Sequence, residues 1–103
     1  MVNKKDKIIG LDLNLIDQES LLRIAEKVEK EVKDFIEKQL PLKTNYDVII
    51  YLENDGKRIN FSIDIVLNGE LAGIIDYDAI VGDAINVARK VLERELRKYK
   101  KTS

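Results

Sequence analysis

The sequence predicts an α+β fold in which two helices pack on one face of an antiparallel, hairpin-based sheet. Two long stretches repeat apolar residues at steps of three and four, the spacing of an amphipathic helix. Between them lie two β-rich segments, 46–53 and 58–67. The chain has 103 residues, 45% of them hydrophobic, which suits one compact core. The predicted element order is therefore (β)-α-β-β-(β)-α.

The N-terminal residues are predicted to divide into a disordered stretch, 1–7, and the start of a single α+β domain, 8–103. From Ile8 to Leu15 apolar side chains alternate with polar ones, which fits either a short strand or an extended packed arm. Gly10 weakens the strand interpretation, so both stay open.

The first helix is expected to begin after Asp17, an N-cap residue, and to end near Gln39–Leu40, just before Pro41. Its opposite face is rich in Glu and Lys at favourable i,i+4 spacing. The predicted apolar stripe comprises Leu21, Ala25, Val28, Val32, Phe35 and Ile36.

The hairpin is predicted from Asp55-Gly56, a pair typical of two-residue β-turns. Such a turn places Glu53 opposite Arg58, which joins opposite charges. The same register predicts three apolar pairs on one face: Leu52 with Ile59, Ile50 with Phe61, and Val48 with Ile63.

The second helix is predicted from about Tyr77 to Tyr99, after a turn at Asn68-Gly69 and a short third strand at 71–75. Gly82 inside this helix costs about 1 kcal/mol relative to Ala, so we expect something packed closely against it. The predicted apolar face comprises Val81, Ala84, Ile85, Ala88, Val91, Leu92, Leu96 and Tyr99.

Composition excludes several kinds of chemistry. The chain has no cysteine and no histidine, so it lacks thiol nucleophiles, thiolate ligands and the commonest general base. The net charge of −1 indicates no general attraction to nucleic acid or membrane. We expect no enzymatic activity, no cofactor and a cytoplasmic location. Abundant Lys and Glu are typical of thermophilic proteins.

Three clustered aspartates allow two interpretations. Asp76 and Asp78, with Asp64 or Asp83, could bind Mg²⁺ or Ca²⁺ in a carboxylate-based, metal-dependent hydrolase. Alternatively, Asp76 or Asp78 caps the second helix, and Asp83 lies in the half of the helix that favours negative charge. Capping requires no other residues, so we favour it and predict no metal site.

Lysines of the first helix or of a basic tail offer the main alternative function, an RNA-binding accessory protein of the translation machinery. In the tail the predicted contacts are Lys98, Lys100 and Lys101. The element order is also that of double-stranded-RNA-binding domains, which carry lysines at the start of their second helix. Acidic residues occupy that place here, in 76–83, so nucleic-acid binding is not expected.

The apolar sequence of the first hairpin strand indicates that this strand binds a protein partner. Val48, Ile49, Ile50, Tyr51 and Leu52 would form an apolar edge strand, which proteins normally cover. Either the arm at 8–15 or a second chain covers it. We therefore expect these residues to form an interaction surface, with a homodimer as the expected assembly.

Several of these segments together resemble the archaeal domain-of-unknown-function family numbered 3194. The resemblance rests on Gly10-Leu11 before an acidic cap, Phe35-Ile36, the strands beginning Asp47-Val-Ile-Ile and Ile59-Asn-Phe-Ser, Asp78-Ala-Ile-Val, and the small residues Ala84 and Ala88. Asn68-Gly69 departs from a connection that often contains proline. The resemblance implies a small archaeal cytosolic protein, with genes often near those for prefoldin and for transcription or translation components. It supplies no catalytic residue and favours a non-catalytic binding or assembly role.

Overall fold

The computed structural model describes residues 11–40, 45–68 and 75–99. Helix α1 spans Gln18–Gln39, strand β1 Asn45–Asn54, strand β2 Ile59–Asn68 and helix α2 Tyr77–Leu96. The strands form an antiparallel two-stranded sheet, and the helices pack together and against one of its faces. The predicted α+β class and its α-β-β-α order are confirmed.

Helix α1 begins where the sequence predicts. Asp17 Oδ1 accepts the Ser20 N–H at 2.8 Å and satisfies one of the free donors of the first turn. The helix ends at Gln39, as expected. Ile24, which the predicted stripe omits, lies in the centre of the buried face, whereas Ala25 lies at its border. The buried apolar residues of α1 are Leu21, Ile24, Val28, Val32 and Ile36.

Helix α2 begins at Tyr77 because Asp76 Oδ1 accepts the Ala79 N–H at 3.1 Å, which confirms the capping interpretation. The α-helix is shorter than predicted, since Arg97–Tyr99 continues as a 3-10 turn. Ala84 and Ala88 are fully buried, and their small size lets α2 approach its neighbours closely.

The hairpin forms, but the predicted register is wrong by two residues. Leu52 lies opposite Phe61, and Asn54 opposite Ile59 closes the ladder. The connection is a four-residue loop because Asp55 Oδ1 accepts the N–H groups of both Lys57 and Arg58 at 2.8 Å. A shift of two residues leaves every side chain on its predicted face.

The structure describes only parts of the two additional strands that the sequence predicts, 8–15 and 71–75. Leu13–Leu15 forms a 3-10 turn, so the strand interpretation of 8–15 is wrong at its C-terminal end. Asp12 Oδ1 accepts the Asn14 N–H at 3.2 Å, a local bond that favours a turn over a strand. Ile75 lies in a bend, while residues 8–10 and 71–74, and the stretch 1–7, lie outside the described residues.

Among residues 11–40, 45–68 and 75–99, the predicted close packing against Gly82 is not found. A Cβ atom placed there would meet no atom of the described residues within 4 Å, and Gly82 is exposed on α2. The glycine therefore lowers helix stability without a compensating contact in this part of the chain.

We expect Gly82→Ala to raise the free energy of unfolding by about 1 kcal/mol, because alanine restricts the unfolded chain and favours the helix. Urea denaturation monitored by circular dichroism measures the change. An unchanged or lower midpoint would show that Gly82 makes a contact that alanine obstructs.

Candidate interaction surface

The five residues predicted as an interaction surface divide between the two faces of the sheet. Val48, Ile50 and Leu52 face the helices and are half-buried, as part of the packing around the core. Ile49 and Tyr51 point to the opposite face, where their exposed fractions are 64% and 53%. What the five residues share is their position in β1.

The exposed face of the sheet is both apolar and acidic. Val66, on β2, joins Ile49 and Tyr51 as a large exposed apolar side chain. The carboxylates of this face are Asp47, Glu53 and Asp64, all exposed. Neither strand contains Lys or Arg. This face therefore repels phosphate, and it would also repel a copy of itself stacked against it.

The backbone bond at the hairpin loop fixes which groups of β1 point outward. The Asp55 N–H donates to the Arg58 carbonyl at 3.2 Å. Bonded and non-bonded pairs alternate along an antiparallel ladder, so the odd-numbered residues of β1 bond to β2. The even-numbered residues, including Val48 and Ile50, then direct their N–H and C=O groups away from β2. Among the described residues, β2 is the only strand paired with β1.

The side chain of Asn54 connects the end of β1 to the segment before α1 through hydrogen bonds. This role was not predicted from the sequence. Its Nδ2 donates to the carbonyls of Leu13 at 2.9 Å and Ile16 at 3.0 Å. Its Oδ1 accepts the Gly56 N–H at 2.9 Å. The segment before α1 thus meets the C-terminal end of β1 at Asn54. An Asn before a turn indicated only a loop residue, and nothing in the pattern indicated the distant carbonyls.

Lys98, a predicted RNA contact, is engaged within the fold. Its Nζ lies 3.0 Å from Oε1 of the buried Glu95, whose other oxygen lies 3.3 Å from Arg94 Nε. The bond from Lys98, and then that from Arg94, lowers the pKa of Glu95 despite its burial. Arg94 also bonds Glu31 of α1, so these charges join the two helices. Lys100 and Lys101 lie outside the described residues.

The clustered aspartates do not converge. Asp76 uses its carboxylate to cap α2, and Asp78 and Asp83 are exposed on that helix. Asp64 lies on β2, opposite Ile49. No three potential metal-ligating side chains group together within residues 11–40, 45–68 and 75–99.

A tyrosine–glutamate bond joins the end of α1 to the start of β1. The Tyr46 hydroxyl donates to Glu37 Oε1 at 2.5 Å. This hydrogen bond, helped by partial burial and by the negative charge of Glu37, raises the pKa of Tyr46 to about 12. Because the neutral phenol is favoured in the folded state, its contribution to stability is complete below about pH 10 and is lost as pH rises through about 12.

We expect Glu37→Gln to lower the pKa of Tyr46 towards its ordinary value, since the amide keeps an acceptor but removes the charge. The ultraviolet absorbance of tyrosinate, titrated against pH, measures the shift. Tyr46→Phe identifies the transition, because it should delete the high-pH step alone. Identical titrations of the parent and Glu37→Gln proteins would contradict the assignment.

Comparison with known proteins gives one distant similarity. No protein-family model matches the chain, so membership of family 3194 stays a prediction. The chain is similar to the uncharacterized protein PH0533 of Pyrococcus horikoshii, with 24% identity over 96 residues, which cover 92% of this chain and 83% of that protein. No solved structure matches. Neither helix in the described part of the chain has the length and apolar character needed to span a membrane.

Proposed function

We propose that this chain is a non-catalytic assembly module of the archaeal cytosol, which acts through protein–protein contacts and pairs with a second copy along β1. The observation that carries the proposal is the outer edge of β1. This edge presents a row of backbone donors and acceptors directed away from β2. The similarity to an archaeal protein supports the archaeal part of this proposal.

The composition of the edge favours pairing. Soluble proteins protect an edge strand with lysine, proline or a bulge, and β1 contains no Lys or Pro and pairs with β2 in a continuous register. The helices cover one face of this two-stranded sheet, and an added strand would extend the sheet without disturbing that packing.

The inward-facing residues of β1 leave apolar surface for a partner to cover. Every inward residue of β1 is half-buried, as are those of β2 except Ile63, whose exposed fraction is 2%. A strand added beside β1 would cover more of Val48, Ile50 and Leu52. The apolar surface removed from water would contribute to association.

The alternatives from the sequence have less support. An RNA partner would meet an acidic sheet face and a Lys98 that is already paired with Glu95. A carboxylate-based hydrolase would need Asp76, which caps α2. Assembly through β1 requires no such change in the described residues.

Sedimentation equilibrium over micromolar to millimolar concentrations tests the proposal. We expect a reversible monomer–dimer equilibrium, with the mass of two chains at the upper end. A single species with the mass of one chain at every concentration would overturn the proposed self-assembly.

A further inference from the structure

We infer that the two β1 strands pair antiparallel about a two-fold axis at Ile49, so that Ile49 lies opposite Ile49 of the partner subunit. This inference rests on the proposed function and specifies its geometry. The resulting sheet has the strand order β2-β1-β1-β2. The occupant of the free edge is thus a second copy of this chain, which closes the assembly.

The sign of the exposed charges disfavours stacking of the sheet faces. Asp47, Glu53 and Asp64 would bring six carboxylates of two copies together with no lysine or arginine from either strand. Pairing along the edge instead leaves these carboxylates in water on one side of a continuous sheet. Edge pairing also uses the outward N–H and C=O groups of Val48 and Ile50.

Two registers pair nearly the whole of β1 and keep its apolar side chains inward, and charge decides between them. An axis at Ile50 places Asp47 opposite Glu53 of the partner subunit, twice in the dimer, and directly opposed like charges destabilise a sheet. An axis at Ile49 places Asp47 opposite Tyr51 of the partner subunit, and Asn45 opposite Glu53 of the partner subunit. No like charges then face each other.

Charged residues on α1 provide a second argument for this arrangement of the two copies. Glu31 bonds Arg94 and marks the flank of α1 that faces α2. Glu29 lies two residues earlier, about 200° around the helix, and therefore on the flank near the free edge of β1. Glu29 pairs with Lys33 on this flank at 2.7 Å.

The position of this pair matches the proposed axis. Tyr46 bonds Glu37, which aligns the start of β1 with the end of α1. Ile49 lies about 10 Å further along the strand, a length equal to about seven helical residues. The axis therefore passes α1 between Glu29 and Lys33. Glu29 of each copy would face Lys33 of the partner subunit, which joins opposite charges in this layer.

Cysteine cross-linking tests the register cleanly, because the chain has no cysteine of its own. Ile49 is exposed, so Ile49→Cys should fold normally. At the axis the two Cα atoms of a non-hydrogen-bonded pair lie about 4.5 Å apart, within the range that a disulfide spans. We expect mild oxidation with oxidised glutathione to convert Ile49→Cys almost completely into a dimer that dithiothreitol reverses.

Two further variants serve as controls. Tyr51→Cys places the thiols about 14 Å apart along the paired strands, and Val66→Cys lies on the outer strand, so both should remain uncross-linked. Val66→Cys dimers would indicate stacked sheet faces or pairing along β2, and either would overturn the inference. If tagged Ile49→Cys mixed with Tyr51→Cys gives mainly the mixed disulfide, the axis lies at Ile50 and the inferred register is wrong.

Sedimentation of the uncross-linked protein distinguishes failure of the inferred register from failure of the proposed dimer. A dimer without Ile49→Cys cross-linking overturns the register and keeps the proposed assembly. A monomer at every concentration overturns both.

Discussion

Ile49→Lys should weaken self-association of this chain by about tenfold to a hundredfold, the largest change expected from one exposed side chain. The substitution removes an apolar pair at the proposed axis and sets two lysines opposite each other, a loss of about 1.5–3 kcal/mol. The folded monomer should not suffer, because Asp64 lies opposite position 49 within the chain and would gain a cationic partner. Sedimentation equilibrium measures the dissociation constant, and urea denaturation the stability.

Val66→Lys is the matched control. Val66 is also exposed on this face and lies opposite an aspartate, Asp47. It lies on β2, away from the proposed axis, so the dissociation constant should stay the same. Equal weakening by the two lysines would place the contact on the exposed face of the sheet instead of the edge of β1.

Asn54→Ala should lower the free energy of unfolding by about 2–3 kcal/mol. The side chain makes three hydrogen bonds, two of them to the carbonyls of Leu13 and Ile16, and its removal leaves both carbonyls without this donor. For a domain of this size the melting temperature should fall by about 10 °C or more. Differential scanning calorimetry measures the change.

Asn68→Ala provides the comparison for this prediction. Asn68 lies at the exposed other end of the hairpin, opposite Asn45, and the same substitution there should shift the melting temperature by only a degree or two. If the two alanine variants had the same melting temperature, the hydrogen bonds of Asn54 would contribute no more to stability than hydrogen bonds to water.

The helices could be predicted from the sequence because their signals are local. Asp17 and Asp76 each cap a helix through a backbone N–H only three residues away, and an apolar face follows directly. The hairpin was predictable for the same reason, since alternation fixes which side chains face inward. These signals sufficed for the α+β class.

The register and the attachment of the N-terminal segment could not be predicted, because they depend on side chains that bond to the backbone. Asp55 accepts two N–H groups and widens the loop, which a two-residue turn signal does not reveal. Asn54 reaches carbonyls 41 and 38 residues earlier in the chain. Gly82 was misinterpreted because a sequence shows the cost of a glycine and not the space around it.

The candidate surface was predicted in part. The sequence identified Val48–Leu52 as an edge strand, and β1 is one of the two strands of the described sheet. The opposite face carries Asp47, Glu53 and Asp64 in either register, but the predicted register placed Arg58 opposite Glu53, whereas Arg58 lies in the loop. The acidic charge of these residues is what favours the edge over the face for a second copy.

Amide hydrogen exchange along β1, measured by NMR at low and high protein concentration, tests assembly through this edge most directly. The N–H groups of Ile49 and Tyr51 bond to β2 and should be protected at both concentrations. Those of Val48 and Ile50 point outward and should exchange quickly in the dilute protein, then slow strongly at high concentration as the second strand binds. Fast exchange of Val48 and Ile50 at every concentration would contradict the account.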